Sequence, residues 1–301
     1  MFRTFDEIER HILSSGVKKR IALTGAHDSY SLEAVVHAKR RGLVTAALLG
    51  RVDEIAALLR SMDEPQDGYE LIGCETEEEN ARRAVAMVHE GKADMPMKGL
   101  LQTSAYMHAV LDKNMGLLPQ GGLLSQSTLV EWTKEGRMFQ ITDCAINIAP
   151  DVQQKKKIVE NAVRFAHRLG CECPKVAVVS AVEVVNPKIP STVEAAALKQ
   201  ACRNGELPGC IVGGPLGLDN AVSLQAARHK GVTDPAAGSA DILVMPELCA
   251  GNIFTKSITF FAGLRSAGVL LGTTTPVIAT SRTDTPENKY HGILMSLLNA
   301  L

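Results

Sequence analysis

Several features that identify common classes of binding protein are scarce or missing in this chain of 301 residues. Aromatic residues make up only 4% of it, which leaves little material for stacking on nucleic-acid bases. The formal net charge is −1, so no global positive field attracts nucleic acid or an acidic membrane surface. No run approaches the roughly 18 apolar residues of a membrane-spanning helix. We therefore expect a globular enzyme that holds any anionic ligand by local groups.

Paired cysteines and a targeting segment are missing as well. The seven cysteines are scattered, and the one close pair is Cys171 and Cys173. Without a second pair at zinc-ligand spacing, this usage indicates free thiols in a reducing cytosol. The N-terminal segment carries acids at Asp6, Glu7 and Glu9 and has no long apolar stretch, unlike a signal or transit peptide. These features predict a cytoplasmic protein.

What the chain does contain is a repeated succession of apolar runs, turns and amphipathic segments. The runs are four to six residues long and alternate with predicted helices, ending with a strand over 276–280 and a helix over 287–298. Short apolar runs between helices indicate strands covered on both faces, hence a mostly parallel α/β sheet. The glycine-rich stretch 114–133 breaks this order, so we place a domain crossing there. The length suits two α/β lobes with a ligand-binding cleft between them.

Polar residues follow two of the predicted strands. Asp143 and Asn147 lie where the strand 139–145 gives way to a loop, and both a structural and a ligand-binding interpretation stay open. Asp151 and Gln154 then fit a helix cap and its partner, and residues 155–157 are interpreted as a solvated helix face. Ser191 and Thr192 begin the sequence Ser-Thr-Val-Glu, which is a good capping box. The backbone N–H groups of that helix start could also bind an anion. Capping is the simpler interpretation of this pair.

Two later turns carry further candidates. The glycine-rich turn 213–223 has the spacing of neither the dinucleotide fingerprint nor the P-loop, and Asp219, just before Asn220, can be explained as a helix cap. Asn252 and Lys256 lie four residues apart on one face of a predicted helix over 252–262. A lysine near a helix start opposes the dipole unless an anion is nearby. That argument favours a ligand role for Lys256.

The strongest chemical pattern is Ser281-Arg282 with Asp284. An arginine just past a buried strand offers a bidentate fork to a phosphate or carboxylate, and the serine hydroxyl can donate to the same anion. Asp284 could act as a base or orient the arginine. The following Thr285-Pro286 is explained as a helix start. Lys98 ends another predicted strand, over 93–97, and is expected to lie near the ligand as well.

Together these segments resemble the phosphate acetyl/butyryltransferase family, and its butyryl branch more than its acetyl branch. The resemblance covers nearly the whole chain and rests on five ordered segments: TDCAINIAPDVQQK (142–155), PKVAVVSAVEVVNPKIPSTVEAA (174–196), GGPLGLDNAVS (213–223), ADILVMPELCAGNIFTKS (240–257) and TSRTD (280–284). It implies a fold of the isocitrate/isopropylmalate dehydrogenase type, with two three-layer α/β/α lobes and an active-site cleft. The C-terminal strand and helix then complete the first lobe, so the domains are 1–126 plus 275–301, and 127–274.

The resemblance also implies residue roles. Ser281 and Arg282 match the family's pair at the transferring acyl phosphate, and Asp284 matches the acid of the butyryl-type Ser-Arg-x-Asp. The acetyl branch places its acid seven residues after the serine, where this chain has Asn288, so the identity of the base stays open. Butyryl-type sequences typically read Gly-Leu-Arg-Thr-Gly before the domain crossing, whereas this chain has Leu118 at the arginine position.

The implied activity is transfer of a short acyl group, butyryl or similar, between coenzyme A and phosphate, with no bound metal or redox cofactor. The candidate substrate-binding residues are Lys98, Asp143, Asn147, Ser191, Thr192, Asp219, Asn220, Asn252 and Lys256. The expected ligands are acyl-CoA, phosphate and acyl phosphate, and the resemblance implies a homo-oligomer. Two alternatives stay open: a non-catalytic acyl-CoA-binding regulator, and a metal-dependent dehydrogenase on the same fold.

Overall fold

Each half of the fold is built from two segments of the chain in the computed structural model, which describes residues 1–301. Unit 1 comprises Met1–Thr4 and Leu123–Ser266, and unit 2 comprises Phe5–Gly122 and Ala267–Leu301. The chain therefore passes from unit 2 to unit 1 after residue 122 and returns after residue 266. The corresponding crossings predicted from the sequence follow residues 126 and 274.

Unit 2 is a parallel sheet with helices, and its elements are numbered along the whole chain. The strands are β1 (Lys19–Thr24), β2 (Val44–Gly50), β3 (Glu70–Gly73) and β4 (Met95–Lys98). The helices are α1 (Phe5–Ser15), α2 (Ser29–Arg40), α3 (Val52–Ser61), α4 (Glu77–His89), α5 (Thr103–Val110) and α11 (Pro286–Asn299). The strand order is β3-β2-β1-β4, and every pairing is parallel. The predicted parallel α/β arrangement is confirmed in this unit.

The strand order of unit 2 reverses beside β1. The chain adds β2 and then β3 on one side of β1, and places β4 on the other side, with Thr24 in register with Lys98. Beyond that register pair, Gly25 and Gly99 bring two loops into close backbone contact. A Cβ on Gly99 would lie 2.3 Å from the Thr24 carbonyl oxygen, so only glycine fits this corner. Such a reversal point, at the carboxyl ends of parallel strands, is where α/β proteins bind ligands.

The predicted strand over 276–280 is wrong as a continuous element. Only two isolated bridges form there, a parallel one between Ile278 and Met97 and an antiparallel one between Val277 and Leu270. The parallel bridge still carries the chain alongside β4. The apolar run is buried and extended, but neighbouring residues do not continue the ladder.

Unit 1 contains the second sheet. Its strands are β5 (Ser125–Trp132), β6 (Arg137–Thr142), β7 (Lys175–Val179), β8 (Ile211–Leu216) and β9 (Ile242–Val244), and β10 (Ser266–Leu271) begins at its last residue. Its helices are α6 (Val152–Arg168), α7 (Pro190–Arg203), α8 (Leu218–Val222), α9 (Leu224–His229) and α10 (Leu248–Phe260). The sheet order is β10-β5-β6-β9-β7-β8. Strands β6, β9, β7 and β8 pair in parallel, and β5 is antiparallel to β6.

Several elements differ from the sequence-based expectation. Helices α1 and α5 and strands β5 and β10 were not predicted, and β5 lies within the stretch interpreted as an irregular crossing. The predicted helix over 220–230 is two short helices, because Ser223 leaves the helical conformation and caps α9. The predicted caps of α6 by Asp151 and of α11 by Thr285 are confirmed. None of the helices is long and apolar enough to cross a membrane.

Candidate functional site

Lys98 occupies the reversal point of the unit 2 sheet. It is the last residue of β4, and it is only 2% exposed. Its backbone N–H donates to the Ile278 carbonyl oxygen at 2.8 Å, which fixes it beside the bridging segment. Its ammonium group has one contact, the Gly99 carbonyl oxygen at 3.4 Å. The sequence prediction of a lysine at a strand's carboxyl end is confirmed in its position, whereas its role stays a prediction.

The Ser281–Arg282 turn emerges just after the bridging segment. The Asp284 carboxylate accepts from the Ser281 N–H at 2.7 Å, and the Asp284 N–H donates back to the Ser281 carbonyl oxygen at 3.2 Å. Asp284 therefore closes the turn rather than pairing with the guanidinium. Arg282 instead donates to Gln102 Oε1 at 2.8 Å, and Gln102 lies in the loop after β4. Both Ser281 and Arg282 are exposed and available to a ligand.

A second buried lysine completes this region and was missed from the sequence. Lys289 lies in the first turns of α11 and is 2% exposed. Its ammonium donates to the Ser281 carbonyl oxygen at 2.9 Å and to Thr280 Oγ1 at 3.2 Å. We call Lys98, Arg282 and Lys289 the cation cluster. The available signal was a lysine near a helix start with no acid three or four residues away.

Burial and mutual repulsion perturb the cation cluster. The pKa of Lys98 is lowered to about 8, mainly by desolvation and further by the charges of Lys289 and Arg282, against the opposing effects of Asp28 and Glu77. Burial also lowers the pKa of Lys289, and Asp28 and Asp284 oppose that shift. Because each change disfavours the charged amine, the cluster is an environment in which an added anion would be stabilised.

Unit 1 collects its predicted residues at the carboxyl ends of its parallel strands. Asp143 directly follows β6, is 4% exposed, and accepts from the backbone N–H groups of Gln126, Ala145 and Ile146. It also accepts from the Asn147 side chain, which in turn donates to the Leu124 carbonyl oxygen at 2.9 Å. Both residues thus hold their own loop. This geometry supports the structural interpretation of the pair.

The capping box predicted at Ser191 is wrong. Helix α7 begins at Pro190, so Ser191 and Thr192 lie inside its first turn. Ser191 Oγ contacts Ser180 Oγ at 2.7 Å, and Thr192 Oγ1 donates to the Ile189 carbonyl oxygen at 2.8 Å. Proline at the first helical position, with no N–H to satisfy, sets this start instead.

The glutamate of that predicted box has a different partner. Glu194 forms an ion pair with Lys155, which lies on α6. Lys155 is only 1% exposed, so the interpretation of residues 155–157 as a solvated face is wrong at this position. The sequence shows three consecutive lysines, and it does not reveal which of them faces a carboxylate inside the fold.

Asp219 does not cap its helix, because Gly217 occupies the cap position of α8. Asp219 is exposed and forms an ion pair with Lys230 at 3.0 Å, which lowers the pKa of the Asp219 carboxyl. Asn220 is fully buried and donates to Glu183, which also pairs with Lys230 at 3.1 Å. Glu183 and Lys230 therefore connect Asn220 to Asp219 through a hydrogen bond and two ion pairs. Neither Glu183 nor Lys230 was identified from the sequence.

The prediction that Lys256 lies near a helix start is wrong. Helix α10 begins at Leu248, capped by Glu247, so Lys256 lies past its middle and far from the dipole's positive end. Its ammonium lies 5.9 Å from the Phe260 ring centroid. Asn252 is exposed and donates to the Cys144 carbonyl oxygen at 3.3 Å, which brings it beside the Asp143 loop.

The cysteines provide no activated nucleophile. All seven are free, and burial raises the pKa of Cys144 to about 11. Cys249 is exposed, and its hydrogen bond with Glu247 raises its pKa. No group of three or more His, Cys, Asp or Glu side chains is arranged to hold a metal ion.

A parallel sheet with basic side chains at its reversal point is characteristic of α/β proteins that bind phosphorylated ligands. The sequence matches the family described as phosphate acetyl/butaryl transferase over residues 74–297. It is 41% identical to the phosphate butyryltransferase of Clostridium acetobutylicum, over 100% of this chain and 99% of that one. It is 39% identical to the phosphate acetyltransferase of Thermotoga maritima, over 96% and 97%.

A solved structure agrees with these sequence matches. The branched-chain phosphotransacylase from Enterococcus faecalis V583 superposes with a TM-score of 0.83, at 32% identity, over 94% of this chain and 99% of that chain. The protein therefore belongs to the phosphate acetyl/butaryl transferase family, as its motifs indicated.

Proposed function

We propose that this protein transfers a short-chain acyl group between coenzyme A and phosphate. The observation that carries the proposal is the proximity of Lys98, Arg282 and Lys289 at the turn that presents the Ser281 hydroxyl, in a member of this family. Three positive groups suit a phosphoryl group that carries negative charge before and after the reaction. Butyryl is the acyl group we favour, with other short chains accepted.

The reaction requires positioning and charge stabilisation by the protein. The coenzyme A sulfur attacks the acyl carbonyl carbon, its proton passes to a base, and the bond from that carbon to the phosphate oxygen breaks. Phosphate leaves with the bonding electron pair, and the thioester remains. We propose that Arg282 holds the departing phosphate and that Ser281 donates to one of its oxygens. Direct transfer of this kind needs no acyl-enzyme, and the raised pKa of Cys144 is consistent with it.

The role we propose for Asp284 is narrower than the two roles, base or orienting residue, that the sequence left open. One of its oxygens already accepts from the Ser281 N–H, so the carboxylate sets the direction in which Ser281 and Arg282 point. Asn288, at the acid position of the acetyl branch, donates its N–H to the Thr285 cap. We propose that Asp284 is a positioning residue, and that its free oxygen is the first candidate for the base.

We propose coenzyme A contacts for the unit 1 residues, which differ in how accessible they are to a ligand. Asn252 and Asp219 are exposed and can contact a ligand, whereas Asp143 and Thr192 form their hydrogen bonds within the protein. We also propose a homo-oligomer in the cytoplasm, with lobes of the isocitrate/isopropylmalate dehydrogenase type. The resemblance supports these last proposals.

A thiol-release assay tests the proposed function. Phosphate is added with acetyl-, propionyl-, butyryl- or a branched acyl-CoA, and free coenzyme A is measured without added metal or nicotinamide. Phosphate-dependent release is expected with at least one of them, fastest with butyryl-CoA. Acyl-CoA binding with no release would favour a regulatory protein. Release only with a divalent metal and a nicotinamide cofactor would favour the dehydrogenase alternative.

A further inference from the structure

Two lysines in unit 2 are buried without a carboxylate partner. Lys98 and Lys289 are each 2% exposed, and neither ammonium forms an ion pair in the structure. The other deeply buried lysine, Lys155, does have one, in Glu194. An ammonium taken out of water is costly unless it is paired, so buried lysines normally have a nearby anion.

The hydrogen bonds of the two ammonium groups are incomplete. An ammonium has three donors. Lys289 uses two, on Ser281 and Thr280, and Lys98 uses one, on Gly99 at a long 3.4 Å. Three of six donors are therefore unused. The acceptors already present are neutral oxygens, so nothing in contact with either group cancels its charge.

The nearest acids are committed elsewhere. Asp28 caps α2, accepting from the Ser31 N–H at 3.1 Å and from the Ser31 hydroxyl at 2.5 Å. Asp284 closes the Ser281–Arg282 turn. Both lie near enough to influence Lys289 electrostatically, but neither is bonded to it. None of Lys98, Lys289 and Arg282 is therefore paired directly with a carboxylate.

We propose that Lys289 and Lys98 are direct ligands of the phosphoryl group, binding it together with Arg282. This inference rests on the proposed function and assigns Lys289, which no sequence motif suggested, to the substrate site. Lys289 also fastens the turn through the Ser281 carbonyl oxygen, so a bound phosphoryl group would be held by the same side chain that positions Ser281. The chemistry recognised is a tetrahedral oxyanion with several acceptor oxygens.

The test compares Lys289→Met and Lys98→Met with the wild type and with Lys92→Met. The control removes an exposed lysine of the same unit, whose partner is Glu90. Two quantities are measured: the KM for phosphate and for butyryl-CoA in the thiol-release assay, and binding of inorganic phosphate alone by titration calorimetry. Circular dichroism checks folding, and Lys289→Gln and Lys98→Gln replace any methionine variant that does not fold.

Loss of a charge-assisted hydrogen bond should raise the KM and Kd for phosphate about tenfold or more, with the KM for butyryl-CoA changed less than about twofold. The control should match the wild type. If Lys289 only braces the turn, kcat and Tm fall while the Kd for phosphate stays within about twofold, and the inference is overturned. A wild type that does not bind phosphate also overturns it. If phosphate binding depends on Lys289 but no turnover is detected, the proposed function is contradicted and the inference stands.

Discussion

Arg282 is held by a neutral partner, and this decides what its substitution should do. Its guanidinium donates to the Gln102 amide oxygen, so most of its donors are free for a ligand, and its charge is not used to hold the fold. The turn itself is closed by Asp284 and followed by the Thr285 cap of α11. Structural and catalytic contributions can therefore be separated at this residue.

Arg282→Lys is expected to slow turnover without unfolding the protein. Lysine keeps the charge but loses the planar fork that binds two phosphate oxygens. The loss of transition-state stabilisation should be about 2–4 kcal/mol, or roughly 30- to 1000-fold in kcat/KM. Ser281→Ala removes a neutral donor and should cost less. Purified variants are compared by steady-state kinetics and thermal melting. Unchanged turnover with a lowered Tm would show that Arg282 is only structural.

We expect Lys98 to make phosphate binding sensitive to pH. Its pKa of about 8 means that it is mainly charged below that pH and loses its proton above it. The charged groups that act on it are Lys289 and Arg282, which favour the neutral amine, and Asp28 and Glu77, which favour the ammonium. Because the ammonium attracts phosphate, the KM for phosphate should rise as pH increases through about 8.

The measurement is the KM for phosphate between about pH 7 and pH 9, at saturating acyl-CoA and constant ionic strength. Lys98→Met serves as the comparison, since it has no titrating amine at this position and should show a flatter profile. An identical rise in both proteins would assign the pH dependence to another group.

At the residue scale, the sequence identified the candidate site residues that directly follow or end an apolar run. Lys98 and the Ser281–Arg282 pair were found because polar side chains end apolar runs. Lys289 was not, since a helical lysine is usually solvated and only the tertiary fold buries it. Glu183 and Lys230 were missed because their contacts with Asn220 and Asp219 are formed only in the folded structure.

At the scale of elements, the corner where β1 and β4 end leaves no room for a side chain at Gly99. Gly99→Ala would place a methyl group 2.3 Å from the Thr24 carbonyl oxygen, so the two loops must separate. We expect a loss of about 1–3 kcal/mol in the free energy of unfolding. A raised KM for phosphate should accompany it, because Lys98 is the preceding residue.

The matched control is Gly73→Ala, at the end of β3. A Cβ there would approach nothing closer than 3.8 Å, and the backbone is not in the left-handed region. This variant should unfold at nearly the same urea concentration as the wild type, and its KM for phosphate should be unchanged. Equal stability for Gly99→Ala and Gly73→Ala would contradict the proposed role of the corner.

The succession of elements was largely predictable because strand and helix periodicity are local properties. The parallel α/β class and the caps of α6 and α11 were confirmed for this reason. Two helix starts were misplaced: α10 begins four residues before the predicted Asn252, and α7 begins at Pro190 rather than after a cap at Ser191. Strand β5 was missed because its partner β6 lies beyond a turn, and pairing is a nonlocal property.

At the scale of the whole molecule, a net charge of −1 coexists with a concentrated positive cluster. Salt screens charges over about 8 Å in physiological conditions, so the distant acids contribute little to ligand affinity. We therefore expect specificity for a phosphoryl group to depend on three side chains from β4, the turn that follows the bridging segment, and α11. That dependence ties ligand binding to the stability of unit 2.

Phosphate should accordingly stabilise the folded protein. At about 100 times its Kd, a ligand that binds only the native state adds about 2.7 kcal/mol to the free energy of unfolding. In thermal melting this corresponds to a rise in Tm of about 5 °C or more. Lys289→Met should lose most of that rise, and Lys92→Met should keep it, with potassium chloride at equal ionic strength as the reference solution. Phosphate also strengthens burial generally by being excluded from protein surfaces. An equal rise in wild type and Lys289→Met would therefore assign the effect to the solvent and contradict a phosphate site at the cation cluster.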